Sequence, residues 1–408
     1  MRSGAQRALR RNLEIAQRSF APAVLLLVLG GCSSPTPPEA AQFHLAWRAH
    51  LDGAVDGTAA VAGGMVFAGS AGGELAAFDL QTGERVWLQR GLGAISDSPA
   101  VDSGRVFVGT LTAHLRAFRA SDGVPVWDWA GPPDAALWSS PVVHQGVVLV
   151  GVASPYGDQP LVPGRLVGLD AQTGRERWTM CLLPGCAPGD GIWSTPAIDA
   201  AGTAFVGVGN PDDAVLAFDP VSGRRKWMTS LYPDRQRDLD VGARPVVVTA
   251  GGRELVAEPG VEGTFAALDA ATGEVVWSRT LVKGSAVHGL IASPAFDGNN
   301  LYAASASPPN GIFALKPADG AVVWRHATPL PVYSAPAVAD GMVVFGTGAV
   351  FGDLNAGSVT ALSAADGHER WSYDTHSAVR SGPAVADDLA VAGDYAGDII
   401  ALRLSLPS

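Results

Sequence analysis

Aromatic and basic side chains recur at one position of this sequence, three residues before a proline that opens an apolar segment. With Ala60 taken in place of the first proline, that position reads Gly57, Ser96, Trp138, Trp193, Gly242, Ile291, Tyr333 and Arg380. An indole can stack on a flat ligand, and a guanidinium can pair with a carboxylate. The set therefore suits a flat anionic ligand, although Trp138 and Trp193 could equally fill a tapering channel.

These residues belong to a repeat whose clearest copy runs from Ala266 to Trp277, with an apolar strand, a turn at Gly273 and a second strand that carries the tryptophan. Its tryptophans lie 40 to 51 residues apart, at Trp47, Trp87, Trp127, Trp178, Trp227, Trp277, Trp324 and Trp371. That period is typical of a four-stranded propeller blade, as in WD40-like repeats. The sequence predicts an all-β fold, an eight-bladed β-propeller of four-stranded blades.

The strand-start prolines indicate which strand is innermost, because proline donates no ladder hydrogen bond and suits the start of a strand or an edge. The last repeat is split: Ala401-Leu402-Arg403 lacks a tryptophan, whereas Trp47 lacks a preceding strand. We therefore expect the N-terminal strand to pair with the C-terminal blade and close the ring. Closure removes exposed sheet edges.

The first 31 residues differ from the repeats. Five arginines precede the short apolar run Ala21 to Leu29, which is too short to span a membrane and has the layout of a secretory signal. Leu29-Gly30-Gly31-Cys32 follows and resembles a bacterial lipobox, which implies cleavage before Cys32 and its lipidation. The expected layout is a signal peptide at 1–31, a lipid-anchored tether at 32–42 and the propeller at 43–408. An ordinary signal peptide with a coincidental cysteine is the alternative.

Net charge and cysteine content limit the partners and cofactors that the protein is expected to bind. The net charge of −11 argues against a nucleic-acid partner. Cys181 and Cys186 are expected to form a local disulfide in an exported protein, with a metal-binding pair as the alternative. No C-x-x-C-H stretch occurs, so covalently attached haem is not expected.

The repeats resemble those of quinoproteins, the pyrroloquinoline quinone (PQQ) dehydrogenases, and of their non-enzymatic relatives, over about residues 43 to 408. A narrower likeness lies in Trp193 to Asp199 and Phe205 to Pro211, which resemble the signature of quinoprotein alcohol and polyvinyl-alcohol dehydrogenases. This resemblance implies that Trp193 stacks under PQQ and that Asn210 binds calcium.

A second segment, Asp238 to Val248, is similar to the Asp-x-Asp segment of that family. The resemblance implies that Asp238 is the catalytic base and a calcium neighbour, with Asp240 as the fallback. Calcium prefers amide and carboxylate oxygens, and a carboxylate can take the proton of an alcohol while the quinone accepts hydride. The alternative places both aspartates in a solvated loop.

The chain departs from the family pattern at several places. Gln159, next to Asp158, stands where the metal-binding glutamate is expected, Pro163 replaces an arginine and Val261 replaces a lysine or arginine. The adjacent cysteine pair of the family is absent from the sequence.

Two functions follow as expectations. The first is a periplasmic lipoprotein that binds PQQ and calcium and oxidises an alcohol-type substrate, with Arg380 and Trp138 as further cofactor contacts. The second is a non-enzymatic, protein-binding propeller, because the layout also resembles the propeller lipoprotein of the outer-membrane β-barrel assembly machinery. Both place the protein at a membrane, the outer membrane above all, through the acyl anchor on Cys32.

Overall fold

Eight four-stranded antiparallel sheets make up the computed structural model, which describes residues 44–232 and 239–404. In seven sheets the strands follow chain order from the innermost to the outermost. The eighth sheet combines three C-terminal strands with the first strand of the chain. The prediction of an eight-bladed β-propeller with a ring closed between its ends is confirmed.

Strand β1 (Leu45–His50) precedes the first complete blade, and every later blade contributes its strands in order. Blades 1 to 4 consist of β2 (Ala60–Ala62), β3 (Met65–Gly69), β4 (Leu75–Asp79) and β5 (Arg85–Gln89); β6 (Ala100–Asp102), β7 (Arg105–Gly109), β8 (His114–Arg119) and β9 (Pro125–Ala130); β10 (Val142–His144), β11 (Val147–Val152), β12 (Arg165–Asp170) and β13 (Glu176–Cys181); and β14 (Ala197–Ile198), β15 (Ala204–Val208), β16 (Ala214–Phe218) and β17 (Arg225–Ser230).

Blades 5 to 8 consist of β18 (Val246–Ala250), β19 (Arg253–Pro259), β20 (Thr264–Asp269) and β21 (Val275–Thr280); β22 (Ala295–Phe296), β23 (Leu301–Ser305), β24 (Gly311–Leu315) and β25 (Val322–Ala327); β26 (Ala337–Ala339), β27 (Met342–Gly348), β28 (Gly357–Ser363) and β29 (Glu369–Asp374); and β30 (Ala384–Ala386), β31 (Leu389–Gly393) and β32 (Asp398–Arg403), with β1 outermost. A single 3₁₀ turn, Pro184–Cys186, lies within the described ranges.

Burial follows strand position within a blade. The two middle strands are apolar on both faces because a neighbouring blade covers each face; all six residues of β11 are buried. The outermost strands alternate, as in β25, since only one face meets a neighbour. The hydrophobic core is therefore a series of layers between blades, and each layer contains residues of two blades.

The repeat tryptophans join each blade to the next. Trp87 Nε1 donates a hydrogen bond to the Ala120 carbonyl of the following blade (2.8 Å), and its ring lies on Gly123 in that blade's turn. A methyl group added at Gly123 would stand 2.7 Å from the indole. The same ring-on-glycine contact occurs at seven junctions, formed by Trp47, Trp87, Trp127, Trp178, Trp227, Trp277 and Trp324.

The aspartates of the repeat turns are structural. The Oδ1 atom of Asp79 accepts the backbone N–H groups of Gln81 and Thr82 at 3.0 and 2.9 Å. These hydrogen bonds, led by those from Thr82, lower the pKa of Asp79. Asp170, Asp219 and Asp269 repeat the arrangement, which is the Asx turn expected of these sequences.

Strand β1 closes the ring by pairing antiparallel with β32, from Leu45 opposite Leu402 to His50 opposite Asp398. Because the split blade has no turn glycine to receive Trp371, a different contact replaces it. The His44 ring stacks on Trp371 with 5.1 Å between centroids, and His44 Nδ1 lies 3.1 Å from the Arg403 carbonyl oxygen.

The signal peptide at 1–31, the tether at 32–42 and the lipidation site Cys32 lie outside the described residues. Within the described ranges, no helix is long and apolar enough to cross a membrane.

The ring-on-glycine contact can be tested with two glycines of blade 2 that share a left-handed backbone. Gly123 (φ +71°) faces Trp87, whereas Gly104 (φ +73°) has nothing within 4 Å of an added methyl. We expect Gly104→Ala to cost about 1–2 kcal/mol through backbone strain. Gly123→Ala should cost about 1–3 kcal/mol more because the indole must move. Equal urea midpoints for the two variants would show that the junction tolerates the added group.

A buried carboxylate interrupts the core between blades 4 and 5. Glu258 faces Ala266 in the next strand, at the position where other blades have Val108, Val150 and Val206. Its side chain is fully buried, and neither oxygen has a hydrogen-bond partner within the described ranges. Burial raises the pKa of Glu258 well above its usual value.

This carboxylate should make stability depend on pH. Above the unfolded-state pKa near 4.5, the folded protein retains a proton that the unfolded chain releases, so stability falls as pH rises towards the folded-state pKa. Glu258→Val is therefore expected to raise the urea midpoint more at pH 8 than at pH 5. The exposed Glu274→Gln is the control and should shift neither midpoint. A gain from Glu258→Val that is the same at both pH values would contradict the assignment.

Candidate functional site

Two sets of loops meet at one end of the propeller. Chains running from an outermost strand to the next innermost strand, and chains joining the two middle strands of a blade, both emerge there because neighbouring strands are antiparallel. At blades 3 to 5 these loops enclose a pocket of about 340 Å³. It is lined by Trp138, Ala153, Ser154, Pro155, Tyr156, Gly157, Asp158, Leu161, Gly189, Gly191, Trp193, Gly209, Asn210 and Asp240.

Trp193 is fixed from two sides. Its Nε1 donates a hydrogen bond to Asp240 Oδ2 at 2.8 Å. Its six-membered ring lies directly on the backbone of Gly242, where an added methyl would stand 1.8 Å from the indole. Only glycine at position 242 leaves room for this ring, so the sequence of blade 5 sets the position of a blade 4 side chain.

Asp240, in the chain that leads to β18, is hydrogen-bonded to Trp193 in the chain before β14 and to Asn210 in the loop after β15. Its Oδ2 accepts Trp193, and its Oδ1 accepts the backbone N–H of Asn210 at 3.0 Å. Below it, the Tyr232 hydroxyl lies 2.6 Å from the Leu239 carbonyl oxygen and 3.1 Å from that of Asp240. Burial raises the pKa of Tyr232, which keeps this hydroxyl protonated. The carboxylate is thus oriented through both oxygens while its backbone is held separately.

Asn210 lies in the loop between β15 and β16 and forms part of the pocket wall. Its carbonyl oxygen accepts the Asp190 N–H at 2.5 Å, while Gly209 N–H donates to the Gly191 carbonyl at 3.0 Å. These bonds join the loop to the chain that leads to Trp193. Asp190 itself is buried, and burial together with the nearby Asp212 raises its pKa to about 7.

Trp138 brings a second indole to the pocket from blade 3. Its Nε1 donates to the Ser154 carbonyl at 2.9 Å, which ties it to the loop that carries Asp158. At the rim, Tyr156 and Leu161 are 75% and 50% exposed. The mouth of the pocket is therefore apolar and accessible.

Four residues singled out from the sequence meet in this pocket: Trp138, Trp193, Asn210 and Asp240. Gln159 is not among the lining residues, although its neighbour Asp158 is. Asp238 lies outside the described residues. Cys181 and Cys186 are joined by a disulfide with a Cα–Cα distance of 5.2 Å, in the chain that leads from β13 towards the pocket.

Arg380 lies elsewhere, in a cavity on the propeller axis that shares Trp193 with the pocket. Its Nη2 is 2.6 Å from Asp56 Oδ1, and its guanidinium lies 4.7 Å from the centroid of Tyr395. Burial is the main cause of the raised pKa of Asp56, and the charge of Arg380 opposes it. The predicted cofactor-binding arginine is thus already paired with a carboxylate.

The prediction that Gly57 represents blade 1 in the axial ring is wrong by one residue. Ala60 pairs with Phe67 as Ala100 pairs with Phe107, so Ala60 corresponds to Ala100 and not to the proline before it. Ala59 therefore corresponds to the proline, and the residue three positions before it is Asp56. An alignment of the blades on their innermost strands, and not on their prolines, would have identified Asp56 as the ring residue of blade 1. Asp56 is the partner of Arg380.

Metal-binding groups are sparse. Within the described residues, no three His, Cys, Asp or Glu side chains are grouped so as to hold a metal ion. The pocket nevertheless contains the carboxylates of Asp240 and Asp158 and the amide of Asn210. Oxygen donors of this kind suit calcium better than they suit a soft metal.

Comparison with known proteins gives the family. Residues 41–184, 211–303 and 261–405 match the family model described as "Outer membrane protein assembly factor BamB". The chain belongs to this family. The matched segments leave out residues 185–210, which supply Trp193 and Asn210 to the pocket.

Two curated relatives differ in what their names say. The chain is 26% identical over 255 residues to a polyvinylalcohol dehydrogenase of Pseudomonas sp, covering 48% of this chain and 40% of that protein. It is 31% identical over 216 residues to the outer membrane protein assembly factor BamB of Yersinia pestis, covering 51% of this chain and 48% of that protein. The matches span less than half the length of either relative.

Among solved structures, the quinohemoprotein alcohol dehydrogenase of Comamonas testosteroni is similar, with a TM-score of 0.73 and 17% identity. The likeness covers 90% of this chain and 78% of that one. At this identity it shows the shared propeller fold alone.

Proposed function

We propose that the pocket at blades 3 to 5 binds PQQ together with calcium, and that the protein oxidises an alcohol-type substrate. The observation that carries the proposal is the meeting of Trp138, Trp193, Asn210 and Asp240 in one pocket. When bound, such a cofactor supplies the hydride acceptor. The name of the Pseudomonas relative, polyvinylalcohol dehydrogenase, supports this substrate class.

The shape and lining of the pocket fit a flat, conjugated ligand. Its volume of about 340 Å³ lies within the range of small-molecule sites. Two indoles line it, and both ring nitrogens are already bonded, to Asp240 and to the Ser154 carbonyl. Each indole is therefore held in place before a ligand arrives, which limits the ordering cost of stacking.

Asp240 and Asn210 are the residues that we assign to the cation, with Asp158 as an additional oxygen donor. Both oxygens of Asp240 accept hydrogen bonds that fix the carboxylate in the pocket wall, and carboxylate oxygens are ligands that calcium prefers. We also assign Asp240 the role of accepting a proton from a hydroxyl group in the pocket. Asp238 remains a candidate for the same role on its sequence position.

The proposed location is the periplasm, with the propeller attached to a membrane through the acyl group on Cys32. The lipobox-like sequence before Cys32 and the family membership support it. A small-molecule substrate would reach the pocket through the loop-rich end of the propeller.

Cofactor binding is tested by calorimetric titration of the mature domain with PQQ, with and without calcium. We expect saturable, calcium-dependent binding, and roughly tenfold or weaker affinity in Asn210→Ala because a cation contact is lost. Trp193→Ala should weaken binding whether or not calcium is present. Asn355→Ala, in an exposed loop at the same end of the propeller, is the matched control.

The result that would overturn this proposal is an absence of PQQ binding by the wild-type domain with calcium present. Unchanged PQQ affinity in Asn210→Ala would contradict the assignment of Asn210 to the cation, although not PQQ binding itself.

The second candidate is a protein-binding propeller without a cofactor. It is favoured by the family match and by exposed apolar side chains on loops at the pocket end: Tyr156, Leu161, Phe351 and Tyr395. Aromatic residues at a surface of this kind are typical of protein interfaces.

This alternative predicts that a crosslinked complex is recovered from membranes with the wild-type propeller. The double variant Tyr156→Ser with Phe351→Ser should lose that complex, whereas Val322→Ser, on an exposed outermost strand, should retain it. Recovery of the same complex by all three proteins would place the interface elsewhere.

A further inference from the structure

A second cavity lies on the axis of the propeller, where the chain begins each innermost strand. It has a volume of about 240 Å³, and its lining residues come from every blade except blade 3. Trp193 separates it from the pocket described above and contributes to both. Apart from Gly242, which makes room for the Trp193 ring, the remaining lining residues have no part in the role proposed for the pocket.

Three side-chain hydroxyl groups line this cavity, and each accepts a hydrogen bond from a backbone N–H of the preceding blade. Ser98 Oγ accepts the Thr58 N–H at 2.9 Å, Thr195 Oγ1 accepts the Ser140 N–H at 3.1 Å, and Ser293 Oγ accepts an N–H from blade 5 at 3.0 Å. Each hydroxyl oxygen is thus occupied as an acceptor by the neighbouring blade. Ser98, Thr195 and Ser293 all line the cavity.

A hydroxyl that accepts one hydrogen bond still has its own O–H to donate. Within residues 44–232 and 239–404, no protein acceptor receives the O–H of Ser98, Thr195 or Ser293. Three donors therefore remain for a ligand that accepts hydrogen bonds.

Arg244 occupies the same register position in blade 5 where these blades carry a hydroxyl, directly before the strand-start proline. Its backbone N–H makes the bond to Ser293 Oγ, and its side chain lines the cavity and is exposed. No carboxylate pairs with it within the described residues. Arginine stays protonated in proteins, so Arg244 brings a positive charge to the cavity.

The other charges of the cavity cancel each other. Arg380 and Asp56 form an ion pair at 2.6 Å, so they contribute little net charge. Arg244 remains and gives the cavity a net positive charge in a chain whose overall charge is −11. This charge disfavours cations, and the hydroxyl ring disfavours apolar ligands.

We propose that the axial cavity binds a small oxyanion, a carboxylate or inorganic phosphate. Arg244 is its charge partner, and the hydroxyls of Ser98, Thr195 and Ser293 donate to its oxygens. A guanidinium with convergent O–H donors is a set that recognises oxyanions. The proposal does not depend on PQQ binding, because it uses residues outside the pocket.

The experiment is calorimetric titration of the propeller with sodium acetate and, separately, with sodium phosphate at constant ionic strength. Saturable binding of either probe is expected, with acetate alone indicating a carboxylate site and phosphate alone a phosphate site. Arg244→Gln should weaken binding roughly tenfold or more, because a charge-assisted contact is lost. Arg244→Lys should retain part of the affinity, since it keeps the charge.

Two controls separate this site from the pocket and from general charge effects. Arg253→Gln removes an exposed arginine from the other end of blade 5 and should leave the affinity unchanged. Asn210→Ala, which tests the PQQ proposal, should also leave it unchanged. An absence of saturable binding of both probes, or equal affinity in the wild type and Arg244→Gln, would overturn the proposal.

Discussion

The contact between a tryptophan of one blade and a turn glycine of the next is the constraint on which the rest of the structure depends. An indole covers a bare backbone at seven junctions, and at six of the eight repeat tryptophans its N–H bonds a carbonyl of the following blade. The contact fixes both the spacing and the rotation of adjacent blades. The loops at the pocket end of the propeller can then vary in sequence while the strands that carry them keep their positions.

That division explains what the sequence could and could not predict. The tryptophan spacing predicts eight blades because each period corresponds to one packing unit. The same spacing assigns Trp138, Trp193, Asn210 and Asp240 to three neighbouring blades. Gln159 could not be placed in the same way, since it lies in the long loop between β11 and β12 whose course no repeat constrains. Asp56 was missed because Ala59 replaces the proline that marks the strand start elsewhere.

The residues that form the pocket and the segments that match the family model are partly different. The family match covers most of the blades, whereas residues 185–210, which contain β14 and β15 and supply Trp193 and Asn210, lie outside it. Gly242 shows how the two are linked: a backbone position in blade 5 without a side chain allows an indole of blade 4 to lie flat. A propeller of this family can thus form a pocket from a few loop residues, while its core stays unchanged.

The N-terminal and C-terminal parts of the chain are joined twice, once within blade 8 at the rim and once between blades 1 and 8 at the axis. At the rim β1 pairs with β32, with Arg48 and Asp398 joined at 3.1 Å across a sequence separation of 350 residues; at the axis Asp56 meets Arg380. Ribosomal synthesis delivers β1 first and β32 last, so the edge of β1 has no native partner until nearly the whole chain exists. Closure of the ring is therefore a strongly non-local step of folding, because it must meet the entropy cost of closing a loop of nearly the whole chain. Until it occurs, two open sheet edges are available to other chains.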